Sequence, residues 1–429
     1  MMKSLLHSAF TALMVIGLVL VFAANFGVAQ ASTDVSGIIG SDTTWTKANS
    51  PYILTGNVLV YNGVTLTIEA GATVNLNDFY IMVNGTLRAQ GSGADKIQLN
   101  GGEITFAPHS SDWNEQTGSG SIIENANLES AIVDIVSASP KIIDSSILTI
   151  ITGSGNPIVS RNIIHDGITV FGGSVSYNDI SGGVSVKGGS VVSNNTISGG
   201  IDVSCLGSSP SSGFPVISNN NITGGGISII GYALISHNII SGCKVAIQSC
   251  TMRLLVGDVI NAYPLIERNL ITHNTHGITI ALSRVYRAGT VAPTIRNNTI
   301  TYNSVGIYIE SITNYNSTPT IIYNNIHDND YSIKITEYVE NEINATYNWW
   351  GISDISAINQ TIYDYKYDFN LPKNKVVFVP FLTEPNPEEM STPIPEFPSW
   401  IILPLLITAT LLIIVCKQKL PKTPSQQSY

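Results

Sequence analysis

Between Pro264 and Ile335 one order of apolar and polar positions is written three times, as PLIERNLITHNTHGITI, PTIRNNTITYNSVGIYI and PTIIYNNIHDNDYSIKI. Counted from each Pro, offset two is Ile266, Ile295 and Ile321, and offset seven is Ile271, Ile300 and Ile326. Offsets fourteen and sixteen are again Ile: Ile278 and Ile280, Ile307 and Ile309, Ile333 and Ile335. Asn holds offset five (Asn269, Asn298, Asn324) and offset ten (Asn274, Asn303, Asn329). Residues two apart on a strand share a face, so each Ile pair points to one side. Helix formers are scarce here, and β-branched residues, Asn and Gly dominate, which predicts short strands joined by tight turns. Short strands at a fixed period stack as coils of a parallel β-solenoid, with Ile inside and Asn at the corners. Asn suits a corner because it tolerates positive φ and because its amide can bond to the same Asn one coil away.

The phrase extends backwards. Starts at 140, 157, 173, 190, 215 and 233 keep the apolar residue at offset two. Asn162, Asn178, Asn195, Asn220 and Asn238 hold offset five, with Ser145 in the first copy. An irregular copy begins at Ser121. In the coils from 157, 173, 190 and 215 the second turn reads as three residues shorter. The count is about ten coils, a rod of roughly 50 Å at the spacing of strands in a sheet.

Residues 32–120 alternate apolar and polar positions with turns at Asn62-Gly63 and Asn84-Gly85, so they read as strands. An open first coil is an edge exposed to aggregation, and this stretch is the natural N-terminal β cap and start of the stack. Its Trp45, Pro51-Tyr52-Ile53, Gly63 to Ile68, Gly71 and Gly85-Thr86-Leu87 series resembles the opening of right-handed parallel β-helix surface proteins. The Asn-Ile and Gly-Ile coils resemble the repeats of the pectin-lyase-like superfamily. Asn348 to Gly351, Ile362-Tyr363-Asp364 and Val379 to Leu382 resemble its closing segments. The resemblance implies an all-β chain, a single-stranded right-handed parallel β-helix of about ten coils. Repeats then occupy 121–340 and a C-terminal cap 341–383.

The two ends change the picture. Lys3, the apolar run Ala9 to Ala24 and Ala29-Gln30-Ala31 read as a signal peptide over residues 1–31. A Pro-rich stalk at 384–399 leads into the uncharged segment 400–416, a transmembrane helix on this reading. Lys417 and Lys419 then place the tail, 417–429, in the cytoplasm. Pro395-Glu396-Phe397 before the apolar segment resembles an archaeal PEF-type sorting tail, which would be processed by a membrane enzyme. The chain is expected at the extracellular face of the cell membrane. Only 12% of its residues are charged, and residues 32–399 hold all 30 acidic residues but 16 of the 20 basic ones. That balance argues against a nucleic-acid partner. Cys205, Cys243 and Cys250 allow at most one disulfide, in any pairing.

Candidate chemistry is thin. The resemblance implies that lyases of this fold hold calcium between carboxylates of adjacent coils, and calcium needs six to eight oxygens. In repeat phase Asp144, Asp179, Asp202 and Glu267 fall at offsets four, six, twelve and three, so they do not converge. Asp166 and Asp328 share offset nine many coils apart. No catalytic residue, metal ligand or cofactor is assigned, and calcium has no support beyond the resemblance. His165, His237, His273, His276 and His327 read as turn histidines. Asn84, Asn316, Asn344 and Asn359 are the glycosylation candidates; Asn194, Asn221 and Asn297 also stand in sequons but abut the repeat turns. Extra residues at 204–214, 250–263, 281–292 and 310–318 all follow the offset-fourteen strand, so they should leave at one corner as a ridge. Its binding candidates are Arg253, Tyr263, Arg284, Tyr286, Arg287, Glu310 and Tyr315. The expectation is a non-catalytic surface protein that binds glycan or an envelope protein. The alternative is a polysaccharide lyase or glycoside hydrolase.

Overall fold

The computed structural model describes residues 32–205, 213–250, 252–253, 259–281, 289–310, 318–336, 342–369, 371 and 376–388. The expected signal peptide, most of the stalk, the apolar segment and the tail lie outside the described residues. Among the described residues no helix is long and apolar enough to cross a membrane.

The described chain is a parallel β-helix. Fifteen strands form one sheet and 24 form another, and apart from the small antiparallel pair Met252–Arg253 with Val259–Ile260 the strand pairings are parallel. The larger sheet bends around a corner. Ile163–Val170, for example, pairs over its first part with Asp179–Ile180 and over its second with Gly183–Lys187. Each coil therefore has three strand columns and a three-sided core. Offset two lies in the fifteen-strand sheet, offset seven in the first column of the larger sheet, and offsets fourteen and sixteen in its second column. Ile266, Ile271, Ile278 and Ile280 are fully buried, as are Ile295, Ile300, Ile307 and Ile309 one rung on. Ile stacks on Ile because identical β-branched side chains interdigitate without changing the spacing of the rungs.

The stack is longer than the repeat. Thr65–Ile68 and Thr86–Gln90 join the fifteen-strand sheet ahead of Ile122–Glu124, and Ile343–Asn344 and Val376–Val377 extend it at the other end. Residues 32–120 thus supply rungs themselves, and fifteen rungs make a rod of about 70 Å. The rungs before Ser121 carry Leu66 and Leu87 at the core position but no corner Asn.

The corners depart from the sequence reading in one respect. The ladder Asn does not take the positive φ; the residue before it does. Asp144, Arg161, Tyr177, Asn194, Asn219, His237, Arg268, Asn297 and Tyr323, all at offset four, have φ between 54° and 58°. This leaves the Asn amide free to bond along the axis. From Asn162 through Asn178, Asn195, Asn220, Asn238, Asn269, Asn298 and Asn324 to Asn348, each side-chain oxygen accepts both the backbone N–H and the amide of the Asn before it. A second, shorter ladder runs from Asn274 through Asn303 to Asn329, headed by the backbone N–H of Cys243.

The shorter second turns are glycine corners. A Cβ on Gly199 would lie 2.3 Å from the Gly182 carbonyl, and one on Gly225 would lie 2.2 Å from the Gly200 nitrogen, so successive backbones touch there. In the coil from 215 the register puts Ile227 at offset twelve, so that turn is two residues shorter, Gly225 being the extra residue.

The C-terminal end is closed by the helix Ile355–Gln360, whose Asp354 cap accepts the Ala357 N–H at 2.7 Å, with Ile358, Trp350 and Phe378 buried beneath. From Leu382 the chain turns and runs back along the offset-four corner as a strap. Leu382 donates to the Asn348 carbonyl. Asn386 exchanges bonds with Asn325 and donates to the Tyr323 carbonyl and the Asn297 side chain. Glu388 reaches Asn297 at 3.1 Å and Arg268 at 3.3 Å.

Candidate functional site

The expected ridge is described only in part. The strands before and after each long connection lie in the second column of the large sheet and in the fifteen-strand sheet, so all four connections leave at the same corner. Arg284, Tyr286, Arg287 and Tyr315 lie outside the described residues, and only the backbone of Arg253 is described. Glu310 ends the strand Val305–Glu310. Tyr263 is exposed, the last ring of a column with Phe214 and Tyr232 at centroid distances of 5.1 and 5.4 Å. These rings stack on each other along the axis, so their faces are largely used and their edges point outward.

A richer surface lies on the outward face of the second column, over the last four rungs. Thr279, Tyr308, Lys334 and Tyr363 are stacked in register, with His276, Val305 and Tyr331 as the parallel column. The imidazole of His276 stacks on Tyr308 at 4.7 Å and 25°. The ammonium of Lys334 sits over two rings, 4.8 Å from Tyr363 and 5.4 Å from Tyr331, a cation–π arrangement. Tyr367 packs edge-on to Tyr331 and lies 4.7 Å from Tyr363. The Tyr331 phenol is held protonated above its ordinary range, first by its hydrogen bond with Tyr367; Asp368 does the same for Tyr363. Burial, then Lys334 and Lys244, pushes the His276 pKa down, so the imidazole is neutral near pH 7. One side of this face continues into an open hollow of 530 Å³ lined by Lys244, His273, Thr275, Tyr302 and Ser304, where His273 and Tyr302 pack at 5.3 Å.

Sequence reasoning passed over this face. Its signal is the outward residue between the two inward Ile of each coil, Thr279, Tyr308 and Lys334, a position that varies between copies and so does not show as part of the repeat. Arranged in register, it presents phenol hydroxyls, a cation and aromatic rings over about 15 Å. Such groups hydrogen-bond hydroxyl-rich ligands and pack on the apolar faces of sugar rings.

The carboxylates are engaged separately. Asp144 pairs with Arg161 at 2.6 Å, and Glu267 accepts from Arg296 at 2.8 Å and faces Arg268 at 3.6 Å. Asp328 pairs with His327 at 2.8 Å. Among the described residues no three His, Cys, Asp or Glu side chains gather in a group that could hold a metal ion. Cys205, Cys243 and Cys250 are free thiols, so none of the pairings allowed by the sequence is formed among them. Burial raises the pKa of Cys243 and Cys250, which makes both poor nucleophiles.

Of the glycosylation candidates, Asn344 is exposed and accepts the Thr346 N–H and hydroxyl. Asn84 and Asn359 are half-buried, and Asn316 lies outside the described residues. Asn297 is 8% exposed beneath Asn386 and Glu388, which leaves no room for a glycan on the docked strap.

The comparisons with known proteins agree with this architecture. No curated protein and no solved structure matches the chain. Residues 182–348 match the family model described as a right handed beta helix region, the span in which the Asn ladder, the glycine corners and the Ile columns are most regular. The chain is a parallel β-helix protein, similar over that span to the right handed beta helix family and consistent with a pectin-lyase-like fold.

Proposed function

We propose that this protein is a non-catalytic surface rod that binds an extended glycan along the outward face of its last rungs. The observation that carries the reading is the in-register face of His276, Tyr308, Tyr331, Lys334 and Tyr363, with Tyr367 packed against it. Rigid strands hold these side chains in position, so little order is lost when a ligand docks. Tyr263 lies at the corner that follows the same column.

On this reading the apolar segments at the two ends export the rod and hold it on the outer face of the membrane. The first strand begins at Thr33, two residues beyond Ala31, which suits cleavage there. The test is a glycan array probed with the full chain in detergent, followed by the Tyr308→Ala/Lys334→Ala double variant. Binding that depends on these two residues supports the reading. Undiminished binding by a variant that melts like the parent would overturn it, as would turnover of any polysaccharide it retains.

A further inference from the structure

The cap holds a cluster that the glycan reading does not use. Lys366 donates from Nζ to Asn359 Oδ1 at 2.7 Å, and the same Nζ lies 3.5 Å from Asp364 Oδ2. Asp364 is buried, its two oxygens accepting the N–H groups of Lys366 and Val376 at 2.9 and 3.0 Å. The Phe378 ring lies 5.3 Å from the ammonium and is itself buried. A primary amine therefore meets a carboxamide and a buried carboxylate, with an aromatic ring beneath the amine. Asn359 lies in the last turn of the helix Ile355–Gln360, whereas Lys366 follows the strand Ile362–Tyr363, so a bond between them would join two elements of the cap.

We propose that Lys366 and Asn359 form an intramolecular amide bond, with Asp364 carrying the protons. The Lys366 ammonium gives one proton to the Asp364 carboxylate, and the free amine attacks Cγ of Asn359. The Nζ–Cγ bond forms, Asp364 gives its proton to Nδ2 as the Cγ–Nδ2 bond breaks and ammonia departs, and the Asp364 carboxylate then takes the second proton from Nζ, which leaves a neutral amide. No oxidant or cofactor enters. The step has to occur only once in each molecule, so a slow reaction is sufficient. The geometry favours it because both partners are already in contact and the sequence between them is short, so little chain entropy is lost.

The product would be a staple at the end of the rod, where a stacked structure otherwise frays first. It would also take Asn359 out of the set of glycan acceptors, since its amide nitrogen is gone.

Peptide mapping by mass spectrometry on the full chain tests this. The expected result is a branched peptide joining Lys366 to Asn359, lighter by one ammonia than its two parts, and a Lys366 that resists acylation. Lys366→Arg keeps the ion pair with Asp364 and should restore the unmodified mass of the Asn359 peptide. Asp364→Asn should leave both side chains unjoined. An intact Asn359 in the parent protein, a glycan on it, or the same ammonia loss in Lys366→Arg would each overturn the proposal. If Asp364→Asn does not fold, the parent and Lys366→Arg decide alone.

Discussion

Replacing Asn298 tests the ladder most directly. Its Nδ2 donates to the Ile266 and Arg296 carbonyls and to Asn324 Oδ1, each at 2.9 Å. Its Oδ1 accepts the N–H and the amide of Asn269 at 3.0 and 2.9 Å. Asn298→Ala removes all five bonds and leaves the Asn269 N–H buried without an acceptor, since Asn269 is fully buried. One orphaned donor and two weakened carbonyls should cost about 3–5 kcal/mol. Asn298→Ser should cost less, because Ser145 already shows how a hydroxyl serves at this corner. Its Oγ accepts the Ala126 N–H at 3.0 Å and donates to the Ile143 carbonyl at 2.8 Å, the same two contacts that Asn298 makes to Asn269 and Arg296. A loss of about 1–2 kcal/mol is expected for Ser. Because rungs can open locally, the urea midpoint should be read together with hydrogen exchange at the Asn269 amide. The order parent, Ser, Ala is required in both. An Ala variant as stable as the Ser variant would refute the idea that the ladder holds the corner through its acceptor.

Ser249 points into the core between Ile229 and Ile280, fully buried and with its hydroxyl unpartnered; Ser249→Val should raise the melting temperature, by about 1–2 kcal/mol in stability. Ile307→Asp places an unpaired charge in the same core and should unfold the rod, which loss of β-sheet circular dichroism would show. Burial, and then Glu103, raises the Asp134 pKa, so its folded form binds a proton more readily than its unfolded form. Asp134 therefore detracts from stability above that pKa and ceases to do so as the pH falls through it; the gain in melting temperature from Asp134→Asn should shrink on acidification, and a constant gain would contradict this. Peptide mapping of glycosylated protein should find Asn297 bare in the parent, with occupancy appearing when Asn386→Ala loosens the strap.

The rungs were legible because their side chains repeat in kind: Ile at four offsets and Asn at one are forced by a core and a corner common to all coils. The positive-φ position was not, because only its backbone is constrained. Its side chain points to solvent, so Asp144, Arg161, Tyr177 and His237 serve equally well. The early rungs were hard to count for a related reason, since Leu66 and Leu87 stack without a corner Asn to mark the period. The aromatic face was visible only after registration, when Tyr308, Lys334 and Tyr363 became neighbours. Asn386 had no periodic partner at all, and its bonds reach residues 61 and 89 positions away.

The strap also determines where the rod would bear a load. A pull arriving from beyond Glu388 meets the molecule at the Arg268 turn and the Asn297 and Asn325 corners, not at Val376–Val377, the last rung of the fifteen-strand sheet. Tension is then shared sideways among several rungs instead of peeling them one at a time from the end. Those few polar contacts act as a fuse: while they hold, the closing rungs carry no strain, and once they part the same force falls on the two-residue strands Ile343–Asn344 and Val376–Val377.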